Sequence, residues 1–130
     1  MEDLLNKESV KRVVKVLNNF DNSLKVEALN SSARTAKDAA ISLKCEVGAI
    51  VKSLLLRTDD SFILCLVAGD KRCSLNKVKK LLKKKDVSMA DAEQVKSQTG
   101  FSIGGVSPTA HLNKNKILID VSLSRYEHVY

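Results

Sequence analysis

AIVKSLLL at residues 49–56 and FILCLVA at residues 62–68 are two almost continuously apolar stretches. Runs of this length and composition predict central strands that are covered on both faces. The polar turn between them is short, so we expect the two strands to be antiparallel neighbours. Lys52 is the single charged residue of the first stretch. Because burying an unpaired ammonium costs several kcal/mol, its side chain must reach either the surface or a polar pocket.

An amphipathic helix is predicted ahead of this strand pair. Apolar residues spaced three and four positions apart run from residue 9 to residue 20, and Arg12 lies on the opposite, polar side. After a break, residues 24–28 alternate apolar and polar side chains, which predicts a half-buried strand. Arg34 in the polar loop that follows and Asp70 after the second apolar stretch are interpreted as surface residues, and the alternative is that each reaches the mouth of a pocket.

Helices and strands alternate through the rest of the chain. N-cap residues and helical periodicity predict helices at residues 35–44, 74–84 and 91–98, with short strands at residues 87–89 and 117–119. Leu81 is expected on the inner face of the second of these helices. Together the elements predict an α+β fold with a mixed, mainly antiparallel, curved sheet of about six or seven strands flanked by helices.

Composition indicates one soluble globular domain spanning residues 1–130, with 44% hydrophobic and 28% charged residues. No apolar run approaches the ~20 residues of a membrane span, and no secretory signal is visible, so we expect a cytoplasmic protein without a membrane partner. Cys45, Cys65 and Cys73 form no Cys-x-x-Cys pair and are interpreted as free thiols, with Cys65 buried and inert. The spacing of Cys and His residues predicts neither a metal site nor a cofactor.

Positive charge is concentrated in one segment. The chain has a net charge of +7, and residues 71–85 carry eight basic and no acidic side chains. We call residues 71–85 the basic segment. Such a field favours a polyanionic partner, and the alternative is a solvated helix face that serves solubility.

GFSIGGVSPTAH at residues 100–111, which we call the glycine loop, holds three of the five glycines and the only proline. Glycine lets backbone N–H groups approach a ligand closely, and proline fixes its own backbone angle. The composition therefore predicts a rigid loop that offers backbone donors to a phosphate, carboxylate or oxyanion. A tight turn that binds nothing is the alternative.

Several motifs together resemble the YbaK/prolyl-tRNA-synthetase-associated domain family. They are Lys52 with Ser53 on an apolar strand, the Gly104-x-x-x-Pro108 spacing, and Asp120 at the end of the strand at residues 117–119. The resemblance runs from about Val10 to Tyr130. Members of this family are relatives of the editing insertion of bacterial prolyl-tRNA synthetases and hydrolyse misacylated tRNA. The resemblance also implies the α+β architecture predicted above.

The resemblance implies a trans-editing deacylase, which removes cysteine or alanine from tRNA for proline by ester hydrolysis without an enzyme nucleophile. Lys52 would supply positive charge, Gly104, Gly105 and Val106 a backbone cradle, and Ser107 a further catalytic group. The expected substrate-binding residues are Ser53, Val106, Pro108, His111 and Asp120. The expected tRNA-binding residues are Lys71, Arg72, Lys79, Lys80 and Lys83. The expected partners are aminoacyl-tRNA and a synthetase, prolyl-tRNA synthetase or another, and we expect a monomer.

Other interpretations remain open from the sequence. His111 could be a surface histidine, Ser107 a turn-stabilising hydroxyl, and Asp120 either a partner of Lys52 or a helix cap. Family members usually continue past the position of Tyr130 into another strand and a helix, which this chain lacks, so the resemblance leaves its activity in question. A noncatalytic module that binds tRNA or a synthetase is the main alternative function. A hydrolase for a small acylated metabolite is a third.

Overall fold

The computed structural model describes residues 4–29 and 33–130. These ranges contain four α-helices, four strands and three short 3₁₀ helices. The α-helices are α1 (Glu8–Phe20), α2 (Ala36–Leu43), α3 (Leu75–Leu82) and α4 (Ala92–Thr99). The strands are β1 (Val51–Thr58), β2 (Phe62–Ala68), β3 (Val87–Met89) and β4 (Lys116–Ile119), and the 3₁₀ helices are Leu4–Asn6, Val47–Ala49 and Val121–Arg125. Along the chain α1 and α2 come first, β1 and β2 follow, and helices and strands alternate only from α3 to β4.

The four strands form one mixed sheet in the order β3-β1-β2-β4. β1 and β2 are antiparallel neighbours, as predicted, and pair from Val51 opposite Ala68 to Arg57 opposite Phe62. β3 is antiparallel to β1, whereas β4 is parallel to β2. The α+β class is confirmed, but the predicted six or seven strands are not, because the described residues contain four.

The strand predicted at residues 24–28 is wrong. In the structure these residues form no regular element, and Leu24 is 38% exposed. Alternation of apolar and polar residues describes a strand with one buried face, but a strand also needs a neighbouring backbone to pair with. No described strand lies beside residues 24–28, so the alternation has no structural effect here.

Each face of the sheet is covered by a different helix. Successive side chains of a strand point to opposite faces, so Leu55 and Leu56 belong to different cores. Leu56 packs with β2 and with Val78 of α3, whereas Leu55 packs with Val95 of α4 and with Val106 of the glycine loop. α3 and the glycine loop therefore lie on opposite faces.

Side-chain caps confirm the predicted starts of α2, α3 and α4, whereas α1 begins at Glu8, one residue before its predicted start, and Lys7 before it makes no side-chain cap. Thr35, Ser74 and Asp91 each accept a hydrogen bond from the backbone N–H three residues later. Leu81 of α3, expected to face inward, is instead 68% exposed. It precedes Leu82 by one position, which rotates it about 100° around the helix and away from the buried stripe. None of the described helices is long and apolar enough to span a membrane.

Candidate active site

One edge of β1 is open along its first half. β3 pairs only with residues from Leu56 to Thr58, so no described strand adjoins Val51 to Leu55 on that side. Thr58 N–H donates to Ser61 on the β2 side at 2.8 Å, and backbone groups alternate sides along an antiparallel strand. The N–H and C=O groups of Ser53 therefore point to the open edge. On either side of them along this edge, Val51 N–H donates to the Tyr130 carbonyl and Ala90 N–H donates to the Leu55 carbonyl.

A cavity of about 380 Å³ lies along this open edge. Its walls come from β1, the start of α2, the region of Ala90 and Val95, and the glycine loop from Ile103 to Val106. Arg34 and Lys52 line it, and no carboxylate does so among the described residues. The cavity is therefore largely aliphatic, with the guanidinium-bearing Arg34 in its wall.

The glycine loop is closed at its base by backbone hydrogen bonds. Leu112 N–H donates to the Thr99 carbonyl at 3.2 Å. Within the loop Gly104 has a left-handed backbone, with φ of 84°, and Gly105 N–H donates to the Ser102 carbonyl at 2.8 Å. The Gly105 N–H is thus held in a turn and is not a free donor. In the described structure no partner occupies the N–H groups of Gly104 and Val106, which remain as the donors of the expected cradle.

Lys52 lines the cavity, but its ammonium donates to the backbone carbonyl of Lys71. By strand alternation Lys52 shares the face of Leu54 and Leu56, whereas Ser53 shares the cavity face with Leu55. The pairing of Lys52 with Asp120, one of the two interpretations of Asp120 given above, is therefore not the arrangement in the structure. A lysine side chain has four rotatable bonds, so its ammonium can reach more than one partner from a fixed backbone.

Asp120 acts as a cap in this structure. Its carboxylate accepts hydrogen bonds from Ala68 N–H at 3.1 Å and from Ser122 N–H at 2.9 Å, which joins β2 to the last 3₁₀ helix. Partial burial acts to raise the pKa of Asp120, but these two backbone hydrogen bonds, the Ser122 hydroxyl and the charge of Arg125 together outweigh it, and the pKa is lowered. Asp120 does not line the cavity beside β1.

Ser107, Pro108 and His111 also lie outside that cavity. The Ser107 hydroxyl accepts from Thr109 N–H at 3.2 Å, and His111 Nε2 donates to the Ser107 carbonyl. Pro108 and His111 line a second cavity of about 510 Å³ together with Val16 of α1. The edge of the His111 ring packs on Phe101, with centroids 5.8 Å apart. In the free protein these residues shape the glycine loop.

Residues 71–85, the basic segment, lie on the α3 face of the sheet, opposite the glycine loop. Lys80 and Lys83 are exposed and Lys79 is half-buried. Lys84 pairs with Asp60 at 3.1 Å, so one lysine of the segment has an acidic partner, contrary to expectation. The other cations of the segment have no ion pair with a described residue. Lys71 and Arg72 border a groove between α3 and β4.

The predicted surface residues and thiols have definite environments. Asp70 forms a bidentate ion pair with Arg125 at 2.8 and 3.0 Å, and this guanidinium holds the pKa of Asp70 below its usual range. Arg34, predicted to be a surface residue, is exposed and also lines the cavity.

Burial raises the pKa of the Cys65 thiol to about 12, which agrees with an inert thiol. No group of residues able to hold a metal ion occurs in the described ranges.

Sequence reasoning missed Arg12. Its guanidinium donates from Nε to the Ala110 carbonyl at 2.9 Å and from Nη2 to the Thr99 carbonyl at 3.1 Å. The same group lies over the Phe101 ring, 4.7 Å from its centroid. Helical periodicity assigned Arg12 to the polar face of α1, and no pattern in the sequence connects it with a loop about ninety residues later.

The chain is similar to known proteins both in sequence and in structure. A family model described as the aminoacyl-tRNA editing domain matches residues 30–130. Proline–tRNA ligase of Kosmotoga olearia is 36% identical over 90 residues, which are 69% of this chain but only 16% of the ligase. The uncharacterized protein YwhH of Bacillus subtilis is 32% identical over 106 residues, 81% of this chain and 67% of YwhH. The crystal structure of a candidate trans-editing enzyme for prolyl tRNA synthetase is 38% identical with a TM-score of 0.86, and the match covers 92% of this chain and 76% of that one.

Proposed function

The chain belongs to the aminoacyl-tRNA editing domain family and is related to the editing domain of prolyl-tRNA synthetase, and on that basis we propose that it hydrolyses the ester bond of misacylated tRNA. One structural observation supports this proposal most directly. Lys52, Ser53 and the glycine-loop residues 104–106 line the same cavity, although about fifty residues separate them in sequence. The substrates we propose are tRNAs for proline that carry cysteine or alanine.

The proposed reaction is attack of water on the ester carbonyl. The bond between the carbonyl carbon and the ribose oxygen then breaks, the ribose oxygen takes up a proton from the attacking water, and the free amino acid and deacylated tRNA are released. The negative charge that develops on the carbonyl oxygen would be stabilised by the N–H groups of Gly104 and Val106, since Gly105 N–H is already bonded to Ser102. Lys52 would exchange the Lys71 carbonyl for the ester or the terminal phosphate of the substrate. The described lining offers the hydroxyls of Ser53 and Thr35 but no cysteine, and no histidine or carboxylate that could activate a hydroxyl, which agrees with a mechanism that forms no acyl-enzyme.

The size and lining of the cavity support a small acyl group. Aliphatic side chains from β1 and from Ala90, Val95 and Val106 dominate a volume of about 380 Å³. One methylene more or less in the acyl group of the substrate changes the ratio of kcat/KM values in an apolar pocket only about 10- to 200-fold. We therefore propose a preference for small side chains, such as those of alanine and cysteine.

A panel of purified aminoacyl-tRNAs tests the proposal. Alanyl- and cysteinyl-tRNA for proline would be incubated with the protein, with correctly charged prolyl-tRNA as the matched control. We expect release of alanine or cysteine at least tenfold faster than release of proline. Absence of release from every substrate would contradict the deacylase. Release from small acylated metabolites alone would indicate the third function instead.

The position of the basic segment favours a second candidate, a noncatalytic module that binds tRNA or a synthetase. Its lysines lie on the face of the sheet opposite the cavity, so this surface could bind a polyanion without any help from the glycine loop. Binding of tRNA with no turnover in the panel would identify this function.

Neutralising Lys79, Lys80 and Lys83 together should weaken tRNA binding and flatten its salt dependence. Each phosphate contact that is lost should reduce the slope of log K against log salt concentration by about one unit. Filter binding at several salt concentrations measures the slope. A triple substitution of Lys15, Lys25 and Lys114 removes the same charge elsewhere and is the control. A slope as steep as that of the unmodified protein would exclude this surface as the tRNA contact.

A further inference from the structure

The glycine loop contains a strained residue close to its base. Two backbone hydrogen bonds close the base, from Leu112 N–H to the Thr99 carbonyl and from Asn113 N–H to the Gln98 carbonyl, and twelve residues lie between Thr99 and Leu112. Ala110, just before the loop returns, has a left-handed backbone with φ of 64°. Residues other than glycine avoid this conformation, and it persists where the surrounding structure holds it in place.

Arg12 supplies a contact at both ends of the loop. Its Nε binds the carbonyl of Ala110, the strained residue, and its Nη2 binds the carbonyl of Thr99, where the loop begins. Between these two contacts the guanidinium packs on Phe101, which is 6% exposed. One planar group therefore fixes the distance between the two arms of the loop.

The helix that carries Arg12 packs on the glycine loop through partly buried side chains. No residue of α1 is fully buried, and α1 lies before residues 30–130, the range that the editing-domain family model matches. Val13 and Val16 line cavities that they share with residues of the glycine loop. The hydrogen bonds of Arg12 add directed polar contacts to this apolar packing and make the helix part of the support of the cavity wall.

We propose that Arg12 is a positioning residue, which holds the glycine loop so that the N–H groups of Gly104 and Val106 face the cavity beside β1. It acts through the Thr99 and Ala110 carbonyls and does not itself touch the substrate. The inference rests on the proposed deacylase function for its catalytic consequence. The positioning of the loop can be measured without it.

The first measurement is amide hydrogen exchange by NMR of Gly105 and Leu112, whose N–H groups are hydrogen-bonded within the loop and at its base. In Arg12→Ala we expect exchange of both amides at least tenfold faster than in the unmodified protein, while amides of β1 and β2 are unchanged. Lys11→Ala and Lys15→Ala, on the same helix, are the controls and should leave the loop amides as they were. Exchange of Gly105 and Leu112 at the original rate in folded Arg12→Ala would overturn the proposal, whether or not the protein is a deacylase.

The second measurement is single-turnover deacylation with an aminoacyl-tRNA that the protein hydrolyses. Arg12→Ala should lower the rate constant about tenfold or more while the half-saturating protein concentration changes less than twofold. Arg12→Lys keeps the charge and the aliphatic stem but cannot bind both carbonyls, so it should behave like the alanine variant, and it serves as the test should Arg12→Ala fail to fold. Full activity of Arg12→Lys would overturn the proposal.

Substitution of Ala110 by glycine separates loop positioning from general stability. Glycine adopts φ near 64° without strain, so Ala110→Gly in the Arg12→Ala background should restore at least threefold of the lost rate. A simple loss of α1 docking would not be repaired by a change at Ala110. No recovery in the double variant, together with an unchanged melting temperature of Arg12→Ala, would also count against the proposal.

Discussion

Lys52→Ala is expected to lower the deacylation rate by about a hundredfold, which corresponds to ~2.7 kcal/mol of transition-state stabilisation. The ammonium would face the ester carbonyl or the terminal phosphate in a cavity that is largely aliphatic, where a charge interaction is stronger than in water. In the free protein its partner is one exposed carbonyl, that of Lys71, so we expect little loss of folding stability. Single-turnover hydrolysis and thermal unfolding measure the two effects.

Lys52→Arg and Lys37→Ala complete this test. Arginine retains the charge but presents a planar fork in place of a compact ammonium, so it should rescue the rate poorly. Lys37, an exposed lysine of α2, is the control for loss of one positive charge and should have no effect on the rate. A rate like that of the unmodified protein in Lys52→Ala would remove Lys52 from the mechanism.

Gly105→Val should abolish deacylation and leave the fold intact. A Cβ atom at Gly105 would have a single close neighbour, the Ser102 carbonyl at 3.6 Å, which is an ordinary contact. The backbone of Gly105 is not left-handed, so a side chain adds no conformational strain there. Because Gly105 lines the cavity, the valine methyl groups would occupy space that the substrate carbonyl needs. Far-ultraviolet circular dichroism and a cooperative melt would verify the fold beside the loss of turnover.

Gly105→Ala and Gly104→Ala are informative companions. Alanine at 105 adds one methyl group and should reduce the rate less than valine does. Gly104 has open space around it but a φ of 84°, so alanine there should cost about 1–2 kcal/mol of stability through backbone strain. Turnover that survives in Gly105→Val would mean that the glycine loop is only a turn.

Local patterns predicted most of the secondary structure. β2 and β3 have the predicted bounds, and β1 is shifted by two residues because Val47–Ala49 forms a 3₁₀ helix at its start. Apolar runs, caps and turns depend on neighbouring residues and can be recognised in the sequence. The parallel pairing of β4 with β2 depends on residues about fifty positions apart, and no local pattern specifies it.

The candidate site was predictable to the extent that its residues lie on regular strands or in the glycine-rich turn. Lys52 and the residues around Gly104 line one cavity, as the resemblance implied. Pro108 and His111 belong to the same motif in sequence, but the loop bends toward α1 and carries them to another cavity. Arg12 escaped prediction because a long side chain can cross from the polar side of a helix to a distant carbonyl.

The charge of the cavity wall bears on which esters can enter. Arg34 lines it with no acidic residue among the described lining, and the Lys52 ammonium would add a second positive charge on leaving the Lys71 carbonyl, so the potential inside has one sign. Such a wall attracts the phosphates next to the esterified ribose and repels an acyl group that carries a cationic side chain. Lysyl and arginyl esters would thus be rejected by electrostatic repulsion even where their size could be accommodated, a form of selectivity that needs no contact designed to recognise the correct amino acid.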